Sequence, residues 1–466
     1  MGKMYLEKIH SEGLAHISYI LGHNGEAAVI DPRRDCGVYV DIAHQNGTNI
    51  THIFETHRNE DYLIGSRELE DRTGAKIYHR QADHFAYGIG VTEGDAFRIG
   101  KMKLTVLETP GHTFDSISLV LADESFSHDP VAVFTGDALF VGDVGRTDFF
   151  PDRAEEVAGL LYDSIFNKLL PLGDQVILYP AHGAGSVCGG GLADREFSTL
   201  GYERKHNPVL QMKRRDEFIR HKMTEHHYKA PYFEKMHTLN GEGSAPLMRR
   251  LPKPKPLAPE AFAKVMEAGT FALDLRSPEA IAGAFIPGSV AMPLEMIPGY
   301  AGYFVPYETP IGLIVESYPM IDAAVRYLVR IGIDDVSCFL AGGMTAWEKS
   351  GRAYDTIPAI HVDELVGLME SKKDFTLLDV RKIDEVKEGK LPRAQHIFLG
   401  ELLNRLNEVP RDRPLVAFCD SGRRSMIAAS LLKREGFQNV KDCLGSMAAC
   451  RNAGCPIVRE EGRGKR

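Results

Sequence analysis

The chain has 466 residues, 44% hydrophobic and 26% charged, with a formal net charge of −9. That length is too great for one core and sets an expectation of roughly two to four domains, with the composition of a globular protein rather than a fibrous or disordered one. The acidic balance gives no case for nucleic acid, and the longest apolar runs, such as "PIGLIV", fall far short of a membrane span. The opening "MGKMYLEKIH" holds no apolar signal core and lacks the Ser or Thr of a myristoylation signal. Seven cysteines in a long chain without a signal core point to reduced thiols, hence a cytoplasmic location.

Three blocks follow, 1–250, 251–357 and 358–466. In the first, strand-like runs end in polar or glycine-rich turns: "HISYIL", "AAVIDP", "ITHIFETH", "KLTVLETPGHT", "VAVFTGDALF" and "QVILYPAHGAG". "DRAEEVAGLLYDSIFNKLLPL" has apolar residues at helical spacing. The basic stretch "ERKHNPVLQMKRRDEFIRHKM" reads as a solvated helix face. "LPKPKPLAP" reads as a stiff linker, unable to pack as helix or strand.

The second and third blocks are copies of one pattern. "TFALDLRSPEAI" matches "DFTLLDVRKIDEV", "PIGLIVESYPMIDAAVRYLVRIGI" matches "PLVAFCDSGRRSMIAASLLKREGF", and "CFLAGGMTAW" matches "DCLGSMAACR". Strand, loop and helix recur in the same order, which is the pattern of a parallel α/β domain and points to duplication. The tail "REEGRGKR" reads as a frayed end.

Four strand-like runs of the first block lead into a potential metal ligand: His57 after "IFET", His112 in "TPGHT", Asp137 in "FTGDALF" and His182 in "YPAHG". Strands of one sheet bring their C-terminal loops to a common edge. Four such loops carrying His or Asp therefore point to a metal site, where a lone His would more often be structural.

These motifs resemble the metallo-β-lactamase superfamily, over nearly all of the first block and in the right order. The resemblance implies an αββα sandwich. In the dinuclear hydrolases of that superfamily the loop after the first His carries two more histidines; here Asn59 and Tyr62 stand in their places. His57, His112 and Asp137 remain of the first metal's set, and Asp61 and His182 of the second's. An amide is a poor ligand and a phenol would have to deprotonate, so the second position should be empty. Two histidines and one carboxylate form the facial set of non-haem Fe(II) oxygenases, with open positions for O₂ and a thiolate.

"TGDALFVGDVGRTDF" is close to the same stretch in persulfide dioxygenases, a branch of that superfamily. The implied cofactor is one non-haem Fe(II) per chain, and the implied co-substrate a low-molecular-weight thiol carrying a persulfide. Arg146 and Asp148 lie in this stretch, where a loop ion pair and a catalytic role are equally open. Asp61 and His182 are expected to orient ligands or substrate by hydrogen bonding.

In the third block, "VAFCDSGRRS" sets Cys419 between an apolar strand and an amphipathic helix. Such a loop turns backbone N–H groups inward, binds anions and favours a thiolate. The pattern Cys419, Gly422, Arg424 and Ser425 resembles the rhodanese active loop, C-x-x-G-x-R-S, and "LLDVR" fits that family's Asp-x-Arg segment. A tyrosine-phosphatase loop would need Arg where Ser425 stands. Cys443, Cys450 and Cys455 are expected to be packing residues, with a resolving role for Cys450 or Cys455 left open. In the middle copy the nucleophile's place falls to Val315 or Glu316, Cys338 lies on another strand, and Pro319 removes an N–H. That copy is expected to be a catalytically silent rhodanese-like domain serving as spacer, docking surface or dimer contact.

The fold class expected is α/β: a metallo-β-lactamase sandwich followed by two rhodanese-like domains with parallel sheets. The function implied is oxidation of a thiol persulfide to sulfite by O₂, coupled to sulfur transfer at Cys419 between persulfide, sulfite and thiosulfate. No nucleic acid or membrane partner is expected, and the family's habit admits a homodimer or larger homo-oligomer. Two other classes stay open: a zinc-dependent thioester hydrolase of the glyoxalase II kind, and a non-catalytic sulfur carrier or scaffold.

Overall fold

The apolar runs of the first block become the strands of two facing sheets in the computed structural model, which describes residues 3–82, 85–186, 191–371 and 374–459. The chain divides into two compact units, Met1–Leu251 with Val329–Gly332, and Pro252–Leu328 with Ile333–Arg466.

In the first unit, one sheet runs β1 (Tyr5–Ser11), β2 (His16–His23), β3 (Glu26–Ile30), β4 (Asn49–Phe54), β5 (Lys76–Arg80) and β6 (Ile89–Val91), in that spatial order. It starts antiparallel and turns parallel from β3 onward. The second comprises β7 (Ala96–Ile99), β8 (Met102–Glu108), β9 (Ile117–Asp123), β10 (Pro130–Gly136), β11 (Ile177–Pro180) and β12 (Ser198–Thr199), again in sequence order. Its only parallel pair among the described residues is β10–β11.

The facing sides of the two sheets bury Tyr19, Leu21, Ile30 and Phe54 against Leu104, Val106, Leu119 and Phe134. Helices Gly37–Gln45 and Ser66–Thr73 cover the first sheet through Tyr39, Ala43 and Leu69. Helix Ala154–Ser164 covers the second through Leu161. This is the expected αββα sandwich, and it delivers the ends of β4, β8, β10 and β11 to one edge.

Each remaining block forms a five-stranded, wholly parallel sheet. The middle one has the order β13 (Lys255–Leu257), β17 (Val336–Leu340), β16 (Ile311–Ile314), β14 (Phe271–Asp274), β15 (Val290–Ala291). The last repeats that order with β18 (Ala359–Ile360), β22 (Val440–Cys443), β21 (Leu415–Phe418), β19 (Thr376–Asp379) and β20 (Gln395–His396). The duplication read from sequence is thus a duplication of topology.

Register settles the alignment of the middle copy. Asp274 pairs with Ile314 as Asp379 pairs with Phe418, so Val315 occupies the place of Cys419 and Glu316 that of Asp420. Pro319 opens the helix Pro319–Arg330 where Arg423 opens Arg423–Arg434, a position that tolerates Pro because its N–H has no partner within the helix.

Two expectations need correction. The Pro-rich segment is not all linker: Lys255–Leu257 forms an edge strand paired with Cys338–Leu340. An edge strand leaves one side unpaired, so Pro256 costs it little there. The basic stretch is not a plain solvated face either. It takes in the end of helix Leu200–His206 and the whole of a separate helix, Arg215–Lys222, which buries Phe218, Ile219 and Lys222, the last paired with Glu225 at 2.6 Å. The tail 460–466 lies outside the described residues. Among those described, no helix is long and apolar enough to cross a membrane.

Candidate metal centre and cysteine loop

At the edge of the sandwich, one donor atom from each of His57, His112 and Asp137 lies within 4.8 Å of the other two, and all three residues are buried. Asp137 Oδ2 is 3.8 Å from His57 Nε2 and 3.5 Å from His112 Nε2. Both Asp137 Oδ2 and His112 Nε2 are buried without a hydrogen bond. Such atoms are costly to bury unpaired, and here they converge on one point, which is the arrangement a metal ion would satisfy.

The far sides of the imidazoles are committed. Thr56 Oγ1 donates its one proton to Asp31 Oδ2 at 2.7 Å, so His57 Nδ1 donates to Thr56 Oγ1 at 3.0 Å. Asp31 also accepts from the Thr56 N–H. His112 Nδ1 donates to the carbonyl of Arg146 at 3.0 Å. With Nδ1 committed to these partners, each ring turns its Nε2 to the centre, the atom through which it would bind metal. Burial pushes His112 down to about 4, in keeping with a neutral ring.

Backbone approach is close here. Gly136 has φ +52°, and a Cβ on it would meet Thr56 Oγ1 at 2.6 Å. At Gly145 a Cβ would meet the Asp137 carbonyl at 2.1 Å.

Asp61 and His182 stand behind the three donors. His182 Nδ1 binds Asp137 Oδ1 at 2.7 Å and its Nε2 binds Asp61 Oδ2 at 3.1 Å. Burial alone would push His182 down, but the flanking carboxylates of Asp137 and Asp61 raise it well above the usual histidine range. Burial likewise opposes the charge on Asp137, yet the charge and hydrogen bond of His182 hold its carboxyl far below the usual range.

The two substituted positions are engaged differently. Asn59 Nδ2 donates to the His57 carbonyl at 3.2 Å, while its Oδ1 is buried without a hydrogen bond. Tyr62 Oη is hydrogen-bonded to His16 Nε2 at 2.9 Å, and burial raises its phenol well above the usual range. Arg146 forms a bidentate pair with Asp148, both bonds at 2.6 Å, and lies over the Phe149 ring. That pair pins the loop whose carbonyl holds His112.

Three supporting residues escaped the sequence reading. Asp31 closes "AAVID", where an acid ending a buried strand was the available signal. His16 opens β2, at the head of the run "HISYIL". Asn240 donates to the carbonyls of Asn59 and Tyr62 from helix Phe233–Glu242; no local signal marked it, because it acts from 178 residues away in sequence.

In the last block, Cys419 follows β21 directly and is fully buried. The Gly422 N–H donates to Cys419 Sγ at 3.1 Å, and Ser425 Oγ is 3.4 Å from the same sulfur. Gly422 has φ +97°, a conformation that L side chains rarely adopt. Ser446 Oγ accepts from the Cys419 N–H at 3.1 Å.

Arg424 is not a free cation. It is held in a fork by Glu385, both bonds at 2.6 Å, and is a hydrogen-bond partner of Tyr300. Burial disfavours its charge, but Glu385 and Tyr300 raise it. Burial pushes the Tyr300 phenol up to about 12. Tyr300 belongs to helix Ile297–Phe304 of the middle copy, so that copy lends a side chain to the loop of the last. Arg423 is more exposed and pairs with Glu295 at 3.0 Å. Neither Glu385 nor Tyr300 was found from sequence, although "KIDEV" follows the Asp-x-Arg segment.

That segment is structural in both copies. Arg381 grips Asp379 and the carbonyls of Glu385 and Gly389, and Arg276 repeats this with Asp274, Ala280 and Ala284. Cys443 and Cys450 are buried in the core with Cys455 packed against them, as expected of packing residues. Burial pushes the Cys443 thiol up to about 12.

Comparison with known proteins agrees with this layout. Residues 12–182 match the family model of the metallo-β-lactamase superfamily, and residues 361–453 that of the rhodanese-like domain. A metallo-β-lactamase structure from Staphylococcus aureus is 31% identical, with a TM-score of 0.65, and covers 72% of this chain and 98% of its own. The mitochondrial persulfide dioxygenase ETHE1 of Mus musculus is 30% identical over 216 residues, 44% of this chain and 74% of the relative. The hydroxyacylglutathione hydrolase GloC of Haemophilus influenzae is 28% identical over 218 residues, 42% of this chain and 92% of the relative. The chain belongs to the metallo-β-lactamase superfamily and carries a C-terminal rhodanese-like domain.

Proposed function

We propose that the chain is a persulfide dioxygenase with a sulfurtransferase domain. The observation that carries this is the donor set. His57, His112 and Asp137 converge, with His112 Nε2 and Asp137 Oδ2 buried and unpaired, while Asn59 stands in place of the first set's remaining histidine and Tyr62, in place of a second-set histidine, is hydrogen-bonded to His16. Two histidines and a carboxylate suit a single non-haem Fe(II). When bound there, the iron would supply open coordination positions for O₂ and for the sulfur of a low-molecular-weight thiol persulfide, which is oxidised to sulfite.

The chain's own residues fix this geometry. Asp31 and Thr56 orient His57, the Arg146 carbonyl orients His112, and His182 with Asp61 holds one oxygen of Asp137 so that the other faces inward. Cys419 carries sulfane sulfur between thiol persulfide, sulfite and thiosulfate. The Gly422 N–H lies against the sulfur, and the helix N-terminus beside it favours negative charge. Arg424, fixed by Glu385 and Tyr300, shapes the anion's entry. The middle copy, with Val315 in place of the cysteine, transfers no sulfur. The setting is a cytoplasm that keeps the thiols reduced.

A second reading is thioester hydrolysis by two zinc ions, favoured by the similarity to a hydroxyacylglutathione hydrolase. One sample separates the two. Protein purified anaerobically is assayed for metal content and for O₂ uptake with a thiol persulfide. About one iron per chain, with O₂ consumed and sulfite or thiosulfate formed, supports the dioxygenase. About two zinc per chain, with thioester cleavage and no O₂ uptake, overturns it.

A further inference from the structure

The strand beside the cysteine loop carries a buried carboxylate. Asp442 lies on β22, is fully buried, and neither of its oxygens makes a formed hydrogen bond among the described residues. An unpaired buried carboxylate is among the least favourable groups a core can hold. The duplicated fold shows what packing alone would place there. Asp442 pairs with Ala359 as Phe339 pairs with Pro256, so the equivalent position of the silent copy is Phe339. The copy that keeps the cysteine has the acid, and the copy that lost the cysteine has an aromatic ring.

What Asp442 adjoins is Ser425. Asp442 stands opposite Ala417 of β21, two residues before Cys419, and the Ser425 hydroxyl favours its charged form. The same hydroxyl is 3.4 Å from Cys419 Sγ. We propose that Asp442 is the proton acceptor for Cys419, acting through the Ser425 hydroxyl, so that cysteine and carboxylate share one negative charge. This rests on the reading of Cys419 as the sulfur-carrying nucleophile.

The step balances. The Cys419 S–H bond breaks and its proton passes to Ser425 Oγ, while the Ser425 hydroxyl proton passes to an Asp442 oxygen. Thiol and carboxylate become thiolate and carboxylic acid, and Ser425 is unchanged. The thiolate then attacks the outer sulfur of thiosulfate. A Cys419 S–S bond forms, the thiosulfate S–S bond breaks, and its electron pair leaves on sulfite. The resulting persulfide anion carries the same single charge, with Asp442 still neutral beside it.

The surroundings suit an acid that changes state near neutrality. Burial pushes Asp442 up to about 7; Ser425 opposes this, and Glu279 on helix Pro278–Gly283 adds to it. The other titratable groups facing the pair are Cys443 on the same strand, and Arg424, Glu385 and Tyr300 around the sulfur. No lysine or arginine is among the groups acting on the Asp442 carboxylate itself.

The test uses the full-length protein and thiosulfate alone. Formation of the Cys419 persulfide is followed by intact mass in a single turnover from about pH 5.5 to 9, in wild type, Asp442→Asn, Ser425→Ala and Cys419→Ser. The wild-type rate should rise through an inflection near neutrality. In Asp442→Asn and Ser425→Ala it should fall at least about tenfold at pH 7 and rise only above about pH 8. Thermal melting is run alongside. Removing an unpaired buried charge should leave Asp442→Asn, and Asp442→Phe, at least as stable as wild type. A wild-type pH profile in Asp442→Asn overturns the relay alone, and so does a marked drop in its melting temperature, which would make the carboxylate structural. No persulfide on wild-type Cys419 overturns both the relay and the sulfurtransferase reading.

Discussion

Thr56→Val is the sharpest perturbation of the metal centre, because it changes one atom of shape and removes a hydroxyl that does two things. Thr56 Oγ1 donates to Asp31 Oδ2 at 2.7 Å and accepts from His57 Nδ1 at 3.0 Å. Thr56 is 1% exposed and Asp31 is as deeply buried. A hydrogen bond to a charged partner contributes about 1.5–3 kcal/mol, and the carboxylate oxygen left behind cannot turn to water. The Thr56 N–H still holds the other oxygen, so a loss of roughly 2 kcal/mol in stability is expected. The larger effect is on metal. With Nδ1 unheld, the imidazole is free to rotate and change tautomer, and losing such a partner weakens metal affinity about 10–100-fold. The assay is a chelator competition titration on the reconstituted protein, with Thr56→Ser as the control that keeps the hydroxyl. Thr56→Val binding metal within about twofold of wild type, in a folded protein, would refute the orienting role of the Asp31–Thr56–His57 chain.

Other outcomes follow from the same geometry. Cys419→Ser should end sulfur transfer and shift the product of persulfide oxidation from thiosulfate to sulfite, read by separating the two anions after O₂ uptake. Gly136→Ala should destabilise the protein by at least about 1–2 kcal/mol and strip the metal, since its φ of +52° and the Thr56 hydroxyl at 2.6 Å leave no place for a methyl group; iron content after dialysis checks it. Glu385→Gln should release Arg424 and show a signed pH dependence. Burial opposes the Glu385 charge, but Arg424 holds its carboxyl below the ordinary glutamate value of 4.5. A depressed folded value means that the stabilisation is full above about 4.5 and is lost as pH falls through the lower folded value. Denaturant melts of wild type and Glu385→Gln should therefore differ at neutral pH and converge in acid.

The fold was legible because the signals for it are local. Alternating apolar runs gave the strands, and glycine- and proline-rich turns placed their ends. The repeated strand–loop–helix order of the last two blocks announced a duplicated topology that the sheets then repeat strand for strand. His57, His112, Asp137 and Cys419 were legible for a related reason: each closes a strand or follows one, and strands that run in the same direction send such ends to one edge. The Pro-rich edge strand was missed because pairing with Cys338–Leu340 is a tertiary event that overrides the bias of Pro256.

What the sequence by itself determined is the set of chemical groups and the order of the elements that carry them: two histidines and an acid without the ligands of a second metal, and a cysteine in a glycine–arginine turn. What only the tertiary structure decided is how those groups are held. Asp31 orienting His57, Asn240 bracing the Asn59 loop, Tyr300 and Glu385 holding Arg424, and Val315 as the true counterpart of Cys419 all depend on register and on contacts distant along the chain. Local periodicity reports which face of an element is buried. It does not report which polar group on another element will meet it, because that is fixed only when the sheets close and each buried donor must find its acceptor.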